Sequence, residues 1–496
     1  MEYKWKALSV TSVGSLMSAI DSTVVLLALV PITQDLHADY ITIVWVVIAY
    51  LLASTSLVLS LGRMGDMYGR KKIYNLGFIV FTIGSLLAAL SLNGIQLVIY
   101  RAIEGIGSAM MIANSLAIIS TAFPINERGK AFGINSIVWA TGNILGIVLG
   151  GFIITYTSWR WIFLINIPIG IFGTVWAWKT LKETKATNTK ESFDISAAIA
   201  FTLGILLIQL GVTDGLLYGW NSLSSIASFA LSPFPFIFFV IWETKYAKDP
   251  IIDIKLFFGN KMFSTSTITA VLQSLAMFAV NFLLLFYLEG IFGLSVLTAS
   301  YLIIPMALVN AIIGPMGGRL TDKYGPRIIS TLGLAFQSVA ILMLSFMNSS
   351  TPLWYVAFTE GIFGIGGGLF WPSNTSAVMS GAPKGKYGAA SGILSTFRNT
   401  GMILSFAVAL SAIASKLPPQ IVYQLFVGTL SSKLDINTAA TYLSAQSYAY
   451  HISFGLLVLS IVLSLMRPSK SKIQNIEENI KTQQKNTSTV INLNLI

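Results

Sequence analysis

Six ionisable side chains lie within long apolar runs: Asp21, Arg101, Glu104, Glu289, Glu360 and Arg398. Charge at membrane depth is costly unless it finds a partner, so such groups are functional candidates by default. Their chemistry is to carry a proton, to hold a counter-charge or to contact a charged ligand. A carboxyl's proton affinity responds to burial and to nearby charge. Asp21 is the first choice for a proton-exchanging acid and Glu104 the second. Arg101 and Glu104 are three residues apart and share one helical face, which fits a structural ion pair as well as a coupling role. Glu360 follows Glu104 by 256 residues and precedes GIFGIGGG, which places it as the interior acid of a second half. Glu289 sits at the end of its run and reads as solvated, and His451 as a polar residue near the outer end of the last run. Arg398 reads as a structural partner or as an anion contact.

Other chemistries find no support in the residue inventory. There is no cysteine and there are two histidines, His37 and His451, so thiolate ligands, a cysteine nucleophile and a histidine metal cluster are not expected. The sequence contains neither a Walker loop nor a nucleophile elbow. No enzyme and no cofactor are expected.

The elements that must position the six residues are membrane helices. Of 496 residues, 54% are hydrophobic and 10% charged, and mean hydropathy is +0.75. A spanning helix needs about 20 apolar residues, and its backbone must be satisfied internally. Fourteen candidate spans satisfy this, near 7–31, 43–61, 73–92, 95–120, 131–155, 161–178, 194–213, 222–242, 264–288, 298–317, 328–347, 352–378, 388–414 and 448–466. The first is longer than a signal-peptide core and reads as an uncleaved anchor. With an even number of spans both termini share a side, and 26 of the 31 Lys and Arg fall on that side. Basic loops remain in the cytoplasm, so a multi-pass cell-membrane protein with both termini cytoplasmic is predicted. The net charge of +11 then suits loops facing anionic lipid and requires no nucleic acid.

The chain also repeats itself. GRMGDMYGRK from Gly62 matches GRLTDKYGPR from Gly318, and RGKAFG from Arg128 is matched at the same offset of 256 to KGKYGA from Lys384. A shared offset implies an internal duplication. The expected domains are an N-terminal six-helix repeat over 1–190, two inserted helices with their loop over 191–262, and a C-terminal six-helix repeat over 263–468. A polar, disordered cytoplasmic tail is expected over 469–496. Parallel six-helix repeats with a site between them describe a secondary transporter.

Several stretches resemble signatures of the major facilitator superfamily, and the six plus two plus six layout resembles its fourteen-helix drug:proton antiporter branch. In GRMGDMYGRKK the residues Gly62, Asp66, Gly69, Arg70 and Lys71 match the superfamily's loop signature. RAIEGIGSA from Arg101 is similar to the fourth-helix signature, with Glu104 where Gln is common. DSTVVLLALVP from Asp21 and WRWIFLINIPIG from Trp159 resemble branch-specific stretches. GNILGIVLGG, holding Gly142, Gly146, Gly150 and Gly151, resembles the fifth-helix antiporter signature, with Ile147 in place of proline.

The resemblance implies an all-α major-facilitator bundle working by alternating access, and a conformational latch at Asp66 with Gly62, Gly69, Arg70 and Lys71. Asp322 repeats the acid in the second copy. The same charges also suit a purely topological role. The helix-five glycines suit a close-packing face and a gating hinge alike. The expected partners are protons, membrane lipid and a small-molecule substrate, carried by a monomer. Several interior acids against few interior bases point to hydrophobic, cationic cargo leaving the cell. The alternative is a same-fold transporter of a defined metabolite or peptide, including an importer.

Overall fold

The computed structural model describes residues 2–183, 192–252, 257, 259–294, 296–383, 385–414, 416–417 and 434–469. Almost all of the expected tail lies outside the described residues. Among those described, regular structure is entirely helical. The first half comprises α1 (Tyr3–Leu36), α2 (Tyr40–Ser56), α3 (Val58–Tyr68), α4 (Arg70–Ala89), α5 (Gly94–Ala122), α6 (Arg128–Tyr156), α7 (Trp161–Leu164) and α8 (Asn166–Thr180). Three helices follow: α9 (Ile195–Tyr218), α10 (Leu223–Leu231) and α11 (Pro233–Lys245). The second half contains α12 (Lys261–Gly290), α13 (Val296–Tyr324), α14 (Pro326–Ser345), α15 (Leu353–Gly381), α16 (Tyr387–Ala414) and α17 (Ile436–Leu465).

Twelve of the described helices are long and apolar enough to cross a membrane, or thirteen when α2 and α3, bent by 45° at Leu57, are taken as one span. This is fewer than the fourteen expected. The expected span at 388–414 is not among those twelve or thirteen, although it is helical as α16, of 28 residues. Large apolar side chains such as Phe152, Phe234, Ile312 and Phe358 are exposed around the bundle, the surface that lipid would cover.

The structure corrects the register of the repeat. Tyr68–Gly69–Arg70 at the α3–α4 turn and Tyr324–Gly325–Pro326 at the α13–α14 turn hold the offset of 256. Both turn glycines take positive φ, +112° and +88°, a conformation that costs glycine least. Beyond α14 the offset becomes 259. Gly129 at the start of α6 lies against Gly318 and Asp322, as Gly388 at the start of α16 lies against Gly62 and Asp66, and 388 is 259 residues beyond 129. The connection from α14 to α15 spans 346–352 where that from α4 to α5 spans 90–93, three residues more. RGKAFG from Arg128 therefore pairs with YGAASG from Tyr387, and the match to Lys384 does not hold.

Each half has its own apolar core, and a further cluster crosses between them. It joins Leu59 of α3, Phe132 of α6, Phe201 of α9, Phe239 of α11, Phe263 of α12, Met379 of α15 and Leu394 of α16. Helices α9 and α11 are thus packed against the seam between the halves.

Candidate functional site

The interior charges of the first half converge. Arg101 on α5 donates from Nη1 to Asp21 Oδ2 of α1 at 2.8 Å and to Glu104 Oε2 at 2.5 Å. Its Nε donates to the Val46 carbonyl at 3.3 Å. The guanidinium is 4.3 Å from the centroid of the Tyr50 ring and 5.7 Å from that of Phe163. Ser85 Oγ of α4 donates to Glu104 Oε1 at 2.8 Å. Asn166 Nδ2, at the start of α8, lies 3.2 Å from Asp21 Oδ1 and 3.0 Å from Ser85 Oγ. Asp21, Arg101, Glu104, Ser85 and Asn166 are all buried.

Close helix contact makes this possible. A Cβ on Gly84 of α4 would press on the backbone of Glu104, and one on Gly105 would meet α2 at Tyr50 and Ala53. The cluster holds two carboxyls and one guanidinium. One added proton makes it neutral, and buried net charge is expensive. Asn166 and Ser85 were not singled out from the sequence. Asn166 lies inside the WRWIFLINIPIG stretch, a signal that was available, whereas Ser85 carries none.

Glu360 does not belong to this cluster, and it is not the counterpart of Glu104. Gly105 faces the Tyr50 carbonyl and Gly364 faces that of Met306. Residues 50 and 306 differ by 256, and 105 and 364 by 259. In the α15 register Glu360 therefore occupies the place of Arg101. It is fully buried, and neither carboxylate oxygen has a hydrogen-bond partner among the described residues.

A second assembly closes one end of the bundle. Asp66 at the end of α3 accepts backbone N–H bonds from Gly388 and Ala389 at the start of α16, both at 2.9 Å. Arg70 donates to Asp66 Oδ1 from Nε at 2.9 Å and from Nη2 at 2.7 Å, and to the Gly385 carbonyl at 3.2 Å. In the other copy Asp322 accepts from the backbone N–H groups of Gly129 and Lys130 at the start of α6, again both at 2.9 Å. Each half thus caps a helix of the other, where a carboxylate meets orphan N–H groups and the positive end of the helix dipole. Gly62 and Gly388 allow their backbones to touch. Arg128, to which the sequence assigned no role, completes the closure. It donates to Ser120 O at 2.6 Å and to Met379 O of the other half at 3.2 Å. The Tyr387 ring lies 5.4 Å from the Arg70 guanidinium and 5.0 Å from that of Arg128. Lys71 stands apart from these contacts, with its backbone N–H on Glu183 at 3.2 Å and its ammonium 5.9 Å from the Trp178 ring centroid.

Three helix-five glycines, Gly142, Gly146 and Gly150, lie against α1, whereas a Cβ on Gly151 would meet nothing within 4 Å. The helix itself runs unbroken from Arg128 to Tyr156. Close packing on α1 therefore occupies the glycine stripe. Of the remaining interior residues, Glu289 is partly exposed at the end of α12, and His451 is exposed on α17 with its ring 2.6 Å from the Ser447 carbonyl. Among the described residues no group of acids and histidines is arranged to hold a metal ion.

A family model described as Major Facilitator Superfamily matches residues 11–406. The chain belongs to the Major Facilitator Superfamily. It is therefore a membrane transporter with several spanning helices, in a family whose members bind small-molecule substrates. It is 32% identical to the riboflavin transporter RibZ of Clostridioides difficile (strain 630) over 94% of this chain and 98% of that protein. It is 31% identical to multidrug resistance protein 3 of Bacillus subtilis (strain 168), over 80% and 77% of the two chains. The fold is also that of the proton:xylose symporter XylE, with a TM-score of 0.66 at 14% identity, covering 94% of this chain and 96% of that one.

Proposed function

We propose that this chain is a proton-coupled exporter of hydrophobic small molecules, working by alternating access in the cell membrane. The observation that carries the reading is the sealed set Asp21, Arg101 and Glu104, with two carboxyls for one base. Proton release from one carboxyl leaves a net negative charge, which favours any conformation that brings water or a cationic group to the cluster. Opening and closing of the half-to-half seam is thereby linked to proton occupancy, a coupling of two equilibria that each bias the same two states.

Asp66 and Asp322, with Gly62, Gly69 and Arg70, form the latch of the closed end in this reading. Lys71 contributes to topology. The layout is that of the fourteen-helix drug:proton antiporter branch, with α16 counted among the spans. The repeats run over 1–190 and 263–468, the insert over 191–262, and both termini face the cytoplasm. Glu360, whose carboxylate oxygens have no hydrogen-bond partner among the described residues, serves as a second proton carrier in the other half. The protein acts as a monomer.

The test is transport into inside-out vesicles under an imposed proton gradient, with a mixed panel of dyes and metabolites. Wild type should accumulate at least one compound uphill. Asp21→Asn should abolish uphill accumulation without lowering expression, and undiminished uphill transport by that variant removes Asp21 from the mechanism.

A second reading is transport of one defined metabolite. It is favoured by the similarity to the riboflavin transporter, which extends over nearly the whole of both chains. A panel in which a single metabolite is carried and no dye competes selects it.

A further inference from the structure

Arg398 is the interior charge that the proton-coupling reading leaves unused. It lies eleven residues into α16, about 16 Å along the helix axis, close to the middle of a hydrocarbon core of about 30 Å. It is half-buried, and no carboxylate lies within ion-pair distance of it among the described residues. Among the described residues its side chain makes one hydrogen bond, a long contact of 3.5 Å to the neighbouring Asn399 side chain. The guanidinium lies 5.6 Å from the centroid of the Trp371 ring on α15.

The surroundings place this pair at the seam. Thr396 Oγ1 and Asn399 Nδ2, on either side of Arg398, donate to Thr55 of α2 in the first half at 3.3 and 3.2 Å. Thr400 Oγ1 is buried without a partner among the described residues. Trp371 is half-buried, and packs against both the second-half core and the cluster that joins the halves. At the offset of 259 the counterpart of Arg398 is Trp139 on α6, also half-buried, which puts a second indole at equivalent depth in the first half.

We propose that Arg398 and Trp371 form a recognition site for planar aromatic molecules that carry a carbonyl or anionic edge. The proposal rests on the transporter reading and specifies its substrate class. The four Nη–H donors of the guanidinium, with no carboxylate acceptor among the described residues, are left for a ligand's oxygens. The Trp371 ring offers an apolar face to a flat ring system and holds the guanidinium in place through its π-face. The acids that pointed to cationic cargo are differently placed: Asp21 and Glu104 are taken up by Arg101, and Glu360 is sealed.

Riboflavin, a planar ring with an imide edge, and ethidium, a planar cation without carbonyl groups, are the probes. Binding to purified full-length protein in nanodiscs is followed by the fluorescence of each. Wild type should bind riboflavin saturably with quenching. Arg398→Met should raise its Kd at least tenfold and leave ethidium within twofold of wild type. Arg398→Gln, which keeps N–H donors without the charge, should fall between, and decides the matter if the methionine variant does not fold. Trp371→Leu should reduce the quench. Unchanged riboflavin affinity in both Arg398 variants overturns the proposal, as does wild type binding ethidium and not riboflavin. The vesicle assay of the proposed function stands apart. Uphill transport of dyes without riboflavin binding retains the exporter and removes this site, whereas Arg398-dependent binding without gradient-driven transport does the reverse.

Discussion

Replacing Asp66 by Asn removes one negative charge and keeps the shape of the side chain. The native carboxylate accepts two backbone N–H bonds from the start of α16 and pairs with Arg70. Asparagine retains one acceptor oxygen, so one N–H bond and the ion pair are lost. Hydrogen bonds to charged groups contribute about 1.5–3 kcal/mol each. With the Arg70 guanidinium still held by Thr121 and the Gly385 carbonyl, a net loss of about 3 kcal/mol is a fair central figure. That is a shift of about 150-fold in the equilibrium between this closed end and its open state. The absence of native cysteine makes a spin-label pair at Tyr68 and Tyr324 straightforward. These are equivalent positions of the two halves and each is 49% exposed. Pulsed electron resonance should show the distance distribution moving to longer values in Asp66→Asn, with slowed turnover and unchanged affinity within each state. Asp322→Asn should shift it less, because Pro326 stands where the first copy has Arg70. An unaltered distance distribution in Asp66→Asn would refute the latch, even if transport fell.

Two further outcomes follow from the same geometry. Gly388→Ala should open the same end without any change of charge, since the added methyl group meets the Gly62 carbonyl; the Tyr68–Tyr324 label pair reads the result, and a native distance distribution would mean that the helices separate at no cost. Tags inserted after Asn348 and after Ile496 should label from outside and inside the cell respectively, and labelling of both from one face of intact cells would show that a span has been misassigned.

Much of the architecture was legible in one dimension because lipid imposes a one-dimensional rule. A helix in a bilayer needs a run of apolar residues of fixed length, and the turn at Gly69 recurs at Gly325 with its positive φ already implied by residue type. Asp21, Arg101 and Glu104 were identifiable because charge inside an apolar run is conspicuous. The sequence could not show that Arg101 serves both acids, since Asp21 and Arg101 are eighty residues apart and meet only when α1 packs on α5. Nor could it find Ser85, an ordinary serine whose importance comes wholly from lying opposite Glu104. The constant offset of 256 misassigned the partners of Glu360 and Arg128, because three residues added in one short connection shift every later position without altering the look of any helix. Reciprocal capping of α16 by Asp66 and of α6 by Asp322 likewise belongs to the tertiary structure, where an acid in the last turn of one helix and the start of a distant helix are brought within 2.9 Å. Residue type determined which groups were able to act in this chain, through the cost of charge in lipid. Packing decided which of them act together, because a hydrogen bond depends on distance in space and the chain records only distance along itself.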